Sequence, residues 1–128
     1  MPEQESQHLV LVVEDDDNIA TALEFVVGRE GHRFARIADG LNAVEAIRTM
    51  RPRVVLLDVM LPGRSGYEIC REVREDAMLG GVRIVIMTAQ GSATQQARSM
   101  SLGANAFLPK PFELGKLRDI IREQIGPG

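Results

Sequence analysis

"LVLVVEDDDNI", residues 9–19, holds three signals in succession. Five apolar residues, Leu9 to Val13, read as a strand buried on both faces. Glu14, Asp15, Asp16 and Asp17 follow at once. From Asp17 a helical period begins, with Ile19, Leu23, Val26 and Val27 at steps of three and four through residue 30. Four adjacent carboxylates repel one another, so this turn starts a helix, holds a cation or sits in water. The stretch is a β-α unit whose junction is acidic.

The unit repeats along the chain. Gly31 ends the first helix. "RFARI" (33–37) reads as a weaker, alternating strand at an edge, and "DG" (39–40) precedes a helix carrying Val44, Ile47 and Met50. "RPRVVLLD" (51–58) holds a third strand that again ends in an acid. "LPGRSG" (61–66) is a loop before a helix with Ile69, Cys70 and Val73. "RIVIMTA" (83–89) is a fourth strand, "ATQQARSMSLG" (93–103) a helix ending at glycine, and "AFL" (106–108) a short fifth strand. "PKPF" (109–112) leads to a helix with Leu114, Leu117, Ile121 and Ile125. Five β-α alternations predict an α/β fold, a parallel sheet with helices on both faces.

Bulk composition fits one domain. The chain has 128 residues, 45% hydrophobic and 26% charged, at net charge −3, which is an ordinary globular balance. Nothing in this balance predicts nucleic-acid binding, which wants a basic face. No apolar run approaches the roughly 20 residues that span a bilayer. "MPEQESQH" has neither the basic nor the apolar region of a secretory signal and reads as a polar tail. One cysteine, Cys70, excludes an internal disulfide and fits a reducing, cytoplasmic compartment. On the apolar face of its helix Cys70 reads as a small buried hydrophobe. The expected organisation is a flexible tail over 1–7, one domain over 8–125 and a C-terminal tail over 126–128.

Ligands of doubly wound sheets bind beyond the carboxyl ends of the strands. The first strand ends at Glu14 and Asp15, the third at Asp58 and the fourth at Thr88, and Lys110 follows the fifth. Three carboxylates repel, and a divalent cation relieves that; oxygen-only ligands with room for water suit Mg²⁺. A lysine ammonium suits a phosphate oxygen, and Thr88 can hydrogen-bond another. A carboxylate flanked by metal and lysine can act as a nucleophile towards a phosphoryl donor. The residues therefore assign Glu14, Asp15 and Asp58 to the metal and Asp58 to the phosphoryl group. The lysine is one of only two, Lys110 and Lys116, among 15 cationic residues, which supports a need for a point charge at Lys110.

"VVEDD", "LLDVMLPGRSG", "MTA" and "LGANAFLPKPF" match, in order and spacing, the motifs of a known family. Over nearly all of residues 8–125 the chain resembles the receiver domain of two-component response regulators. The resemblance implies a flavodoxin-like (βα)5 three-layer sandwich with strand order 2-1-3-4-5. It implies that Asp58 accepts a phosphoryl group from a histidine kinase or phosphotransfer protein with Mg²⁺. Glu14 and Asp15 would be the acidic metal pair, and the backbone carbonyl of Met60 a further ligand. Lys110 would bond the phosphoryl group, Thr88 and Phe107 would form the switch pair, and the Lys110–Pro111 bond would be cis. With phenylalanine at 107, in place of the tyrosine also found there in the family, switching must be steric. Met60 and Gln90 stand where the family tunes dephosphorylation; the apolar Met60 implies a slow to intermediate lifetime.

The expected role is a signalling switch rather than an enzyme with turnover, catalysing only its own phosphotransfer and autodephosphorylation. It would be a monomer or weak phosphorylation-dependent dimer, read by an effector on the face formed by residues 91–125. An aspartate-nucleophile phosphohydrolase would need a second acid where Met60 stands. A non-phosphorylated interaction module would have lost the metal acids, the Asp or the Lys, all of which are present. Asp16 and Asp17 read as helix-start residues, and His8 and His32 as structural. Gly28 and Gly115 fall inside predicted helices and weaken them slightly.

Overall fold

The computed structural model describes residues 7–89 and 91–126. The expectations for the terminal tails, apart from Gln7 and Gly126, and for Gln90 lie outside the described residues. The chain alternates β1 (Leu9–Val13), α1 (Asp17–Arg29), β2 (Arg33–Ile37), α2 (Ala43–Met50), β3 (Val54–Asp58), α3 (Gly66–Glu75), β4 (Arg83–Thr88), α4 (Ala93–Ser101), β5 (Ala106–Pro109) and α5 (Leu114–Ile125). A 3₁₀ turn, Ala77–Leu79, joins α3 to β4. All four strand pairings are parallel, in the order β2-β1-β3-β4-β5. This is the flavodoxin-like arrangement.

The period of two along each strand divides the core. Leu11, Val13, Val55, Leu57, Ile84 and Ile86 pack on one face with α2 and α3. Val10, Val12, Val54, Leu56, Val85 and Met87 pack on the other with α1 and α5. The central strands β1 and β3 are buried on both faces, so they read as unbroken apolar runs. Helix α4 stands apart, since its one buried residue is Ser99.

The edge strand departs from the alternation expected of it. Arg33 and Phe34 are both exposed, and Ala35 to Ile37 are half-buried. β2 pairs only with β1, so its outer edge has no neighbouring strand, and only Ala35 and Ile37 pack against the core. Met50 and Leu114 also depart from the predicted apolar stripes, with 41% and 47% of their surface exposed. Each stands at the terminal residue of its helix, where the stripe runs past the sheet.

Cys70 is fully buried, and burial pushes its thiol above the usual range. The two histidines meet across 24 residues: the His8 N–H donates to His32 Nδ1 at 3.1 Å, and the rings lie 5.6 Å apart. Burial, assisted by the charge of His8, holds the His32 imidazole below its ordinary pKa.

Candidate functional site

Each strand-end residue is delivered by a different piece of backbone. β1 runs between β2 and β3, so its end is fixed from both sides. The Glu14 N–H donates to the Ile37 carbonyl at 3.1 Å. Arg36 donates from Nε and Nη2 to the Glu14 carbonyl at 3.1 and 2.9 Å, and its Nη1 pairs with Asp17 at 2.8 Å. These contacts turn the Glu14 carboxylate inward, leaving the residue 1% exposed, while Asp15 is exposed.

Asp16 is the N-cap of α1, its Oδ1 accepting from the Ile19 N–H at 3.0 Å, and Asp17 lies in the first turn. Both serve the helix start, where carboxylates accept from unpaired amides and meet the positive end of the dipole. The acidic run thus divides into a buried acid, an exposed one and two helix-start acids.

Asp58 closes β3 at 3% exposure. Its backbone is gripped from both directions: the Val59 N–H donates to Met87 O, and the Gly66 N–H donates to Val59 O, each at 3.0 Å. Helix α3 approaches so closely that a Cβ on Gly66 would lie 2.3 Å from the Asp58 carbonyl oxygen and 2.9 Å from Val59 Cα. Only glycine fits there. Ser65 caps α3 with a reciprocal capping box to Glu68. Gly66 and Arg36 were not among the residues singled out in the sequence. The glycine directly after the Ser65 cap, where α3 begins, was the signal that could have found the first. Arg36 needed the three-dimensional register.

Lys110 joins the parts. Its Nζ donates to Glu14 Oε1 at 2.6 Å and to Asp58 Oδ1 at 3.1 Å, across 96 and 52 residues of chain. Its own N–H is held by the Thr88 carbonyl at 2.8 Å, and the Lys110–Pro111 bond is cis, as the resemblance implied. Burial of Lys110 opposes the ammonium, but the hydrogen bonds and charges of Glu14 and Asp58 outweigh it and lift its pKa above the ordinary lysine value. Burial raises the Glu14 carboxyl, with the Asp58 charge adding, against the hydrogen bonds from Lys110 and the Asp16 N–H.

Glu14, Asp15 and Asp58 each bring a carboxylate oxygen within 4.8 Å of the other two. One ammonium against three carboxylates leaves an excess of two negative charges. An all-oxygen donor set with that excess fits a divalent cation such as Mg²⁺. Both Glu14 oxygens already accept a hydrogen bond, and each retains a lone pair for a metal.

Thr88 is buried at the end of β4. Phe107 pairs in register with Ile86. Thr88 is two residues beyond Ile86, so Thr88 and Phe107 share one face of the sheet. Phe107 is half-buried and packs against the core that includes Tyr67. Tyr67, at the start of α3, bonds Gln95 on α4 through its hydroxyl, and the Arg98 guanidinium sits 4.2 Å over its ring. The Met60 side chain is 74% exposed in the turn after Asp58.

Comparison with known proteins agrees with this geometry. A family model, the response regulator receiver domain, matches residues 10–122. The DNA-binding response regulator MtrA of Mycobacterium tuberculosis is 39% identical over 116 residues, covering 91% of this chain and 50% of MtrA. The transcriptional regulatory protein AfsQ1 of Streptomyces coelicolor is 38% identical over 110 residues, covering 86% of this chain and 47% of AfsQ1. The chain thus spans about half the length of the curated relatives it matches. Among solved structures, a putative response regulator from Chloroflexus aurantiacus superposes with a TM-score of 0.87 at 34% identity, covering 93% of this chain and 98% of that one. The receiver domain of a sensor histidine kinase from Pseudomonas aeruginosa, solved with magnesium coordinated in its active-site cleft, gives 0.84 at 31%, covering 94% and 98%.

Proposed function

The chain belongs to the response regulator receiver family, and on that premise we propose that it is a phosphorylation-controlled switch whose acceptor is the Asp58 carboxylate. The donor is a phosphohistidine on a histidine kinase or phosphotransfer protein. The observation that carries this reading is the Lys110 ammonium held between Glu14 and Asp58 at the carboxyl edge of the sheet.

In the transfer an Asp58 oxygen attacks phosphorus, the O–P bond forms, the P–N bond breaks, and the imidazole leaves with its electron pair. Lys110 fixes Oδ1 and so orients the carboxylate for in-line attack. Two of its three N–H groups are used in this structure, and the third is available to an oxygen of the incoming group. Glu14, Asp15, Asp58 and the Met60 carbonyl would hold a divalent cation, which when bound would neutralise the transferred charge. The buried Thr88 hydroxyl donates to the same group. An apolar groove of about 490 Å³, lined by Ile19, Ala22, Pro111, Phe112 and Leu114, runs up to Lys110. We assign it to the donor protein, which must cover this edge to bring its histidine to Asp58.

Readout follows from packing. When Thr88 turns to the phosphoryl group, space opens on the face it shares with Phe107, and the ring moves into it. Lacking a hydroxyl, Phe107 couples by shape alone. Helix α4 buries only Ser99, so it is the helix that moves most cheaply. The effector reads the surface over residues 91–125. The exposed Met60 thioether cannot orient an attacking water, which favours a slow to intermediate lifetime for the acyl phosphate.

The test is intact mass after incubation with acetyl phosphate, with and without Mg²⁺, and with a phosphorylated histidine phosphotransfer protein. A Mg²⁺-dependent gain of one phosphoryl mass, absent in Asp58→Asn, is the expected result. No gain from either donor on folded protein refutes the proposal.

A further inference from the structure

The opposite edge of the sheet carries a second set of charges that the switch does not use. Of 13 arginines, most have a partner. Arg36, Arg48, Arg64, Arg71, Arg118 and Arg122 pair with carboxylates, Arg29 and Arg98 sit on aromatic rings, and Arg74 donates to backbone carbonyls. Arg33, Arg51 and Arg83 have no such partner among the described residues, and all three lie at the amino ends of the strands. Arg53 joins them there. It donates Nη2 to the Ile125 carbonyl at 2.9 Å, and its buried Nε has no acceptor.

Arg33, Arg51 and Arg53 line one cavity of about 440 Å³ whose lining contains no acid. The acid whose charge reaches Arg51, Asp76, is already committed to Arg48 at 3.1 Å and to the Met78 N–H at 2.9 Å. The remaining walls include Met50, Met78 and Leu79, flexible and polarizable apolar side chains against which a flat ring packs well. Arg51 closes α2 in the left-handed conformation, φ 46° and ψ 59°. That conformation costs an L-residue about 1–2 kcal/mol and costs glycine almost nothing. An arginine is therefore kept where the backbone favours glycine, beside the cavity.

We propose that this cavity binds a small organic phosphate of nucleotide size. Arg33 and Arg51 take the phosphate by charge-assisted, forked hydrogen bonds, with Arg53 adding positive charge behind them, and the methionine-lined wall takes the ring. The volume suits one small molecule, and its confinement to one edge of an acidic protein does not suit an extended polyanion. The proposal is independent of phosphotransfer at Asp58.

The test is an NMR titration of the full chain, in EDTA, with the common ribonucleoside 5′-mono- and diphosphates, with the parent nucleosides and inorganic phosphate as separate arms. The expected result is saturable binding by at least one nucleotide, stronger than by its nucleoside or by phosphate. The amide shifts would fall at Leu9, Arg33, Arg53 and Val82 and not at Asp58 to Gly66. Arg51→Gly relieves the backbone strain, so it should fold at least as stably as wild type while binding about tenfold more weakly; Arg33→Ala should weaken binding similarly. No nucleotide binding tighter than about 1 mM, shifts centred on the Asp58 rim, or unchanged affinity in Arg51→Gly would each overturn it.

Discussion

Replacing Gly66 by alanine places a methyl carbon 2.3 Å from the Asp58 carbonyl oxygen and 2.9 Å from Val59 Cα. Both are backbone atoms at the start of the loop that follows Asp58, so nothing flexible can yield. Helix α3 must move away, straining the 3.0 Å hydrogen bond from the Gly66 N–H to the Val59 carbonyl. Overpacking of this kind costs about 1–3 kcal/mol, and losing the hydrogen bond adds about 1 kcal/mol. The opposing gain from alanine in a helix is at most about 1 kcal/mol. The net expectation is a loss of about 1–3 kcal/mol. Gly28→Ala makes the same chemical change in α1, where the new methyl meets only Phe34 Cε2 at 3.8 Å. There the helix gain stands alone, about 0.5–1 kcal/mol of stabilisation. Urea unfolding of both variants in EDTA tests the signs directly. If Asp58 is the acceptor proposed above, acetyl phosphate labelling should slow in Gly66→Ala, whose loop after Asp58 has shifted, and stay at the wild-type rate in Gly28→Ala. A Gly66→Ala protein as stable as wild type would refute the steric argument at Asp58, and a Gly28→Ala protein weakened by more than about 1 kcal/mol would refute the helix-propensity argument in α1.

Three further expectations follow from the site and its supports. Mg²⁺ should raise the melting temperature of the wild type, with stabilisation near 2.7 kcal/mol at a hundredfold excess over its Kd; Asp15→Asn and Asp58→Asn should show little or none of this in the same melts. Glu14 is raised by burial in the folded state, so its contribution is favourable below the unfolded carboxyl value and is lost as pH rises through the folded one. Glu14→Gln should therefore be more stable than wild type at pH 7 in EDTA, and the difference should vanish below about pH 4; an unchanged gap across that range in thermal melts would refute it. Arg74 donates to Gly103 O at 2.7 Å, Val82 O at 2.6 Å and Asn105 Oδ1 at 2.8 Å. Arg74→Ala strips these acceptors of the guanidinium, leaving Asn105 Oδ1 only the Ile84 N–H at 2.8 Å, and should cost about 2–4 kcal/mol in urea unfolding.

The parallel sheet was legible because its central strands are buried on both faces, so "LVLVV" and "VVLLD" could be little else. The rim was legible for a related reason: a residue directly after a buried strand has its position set by the strand. Glu14, Asp58 and Lys110 meet as their places in the chain implied. What sequence could not show depends on contacts between distant segments. The inward turn of Glu14 needs Arg36 from the neighbouring strand. The fit of α3 against Asp58 needs the tertiary approach at Gly66. The 3₁₀ turn at Ala77–Leu79 is too short for a periodic signal. Met50 and Leu114 fit a helical stripe but lie beyond the sheet that would cover it, since periodicity reports a face and not where the facing layer stops. Gly28, without apparent role in the sequence, meets nothing closer than 3.8 Å.

The separation of charge between the two edges makes the domain an electric dipole along its strands. Glu14, Asp15, Asp16, Asp17 and Asp58 gather at one end and Arg33, Arg51, Arg53 and Arg83 at the other, about 16 Å apart over five residues of strand. That exceeds the screening length of about 10 Å at 0.1 M salt, so a charged surface senses one end at a time. A protein of net charge −3 should then be retained weakly on a cation exchanger, arginine end down, with the Asp58 edge left facing the solvent. Phosphoryl transfer would change the charge at the free end and leave that retention nearly untouched.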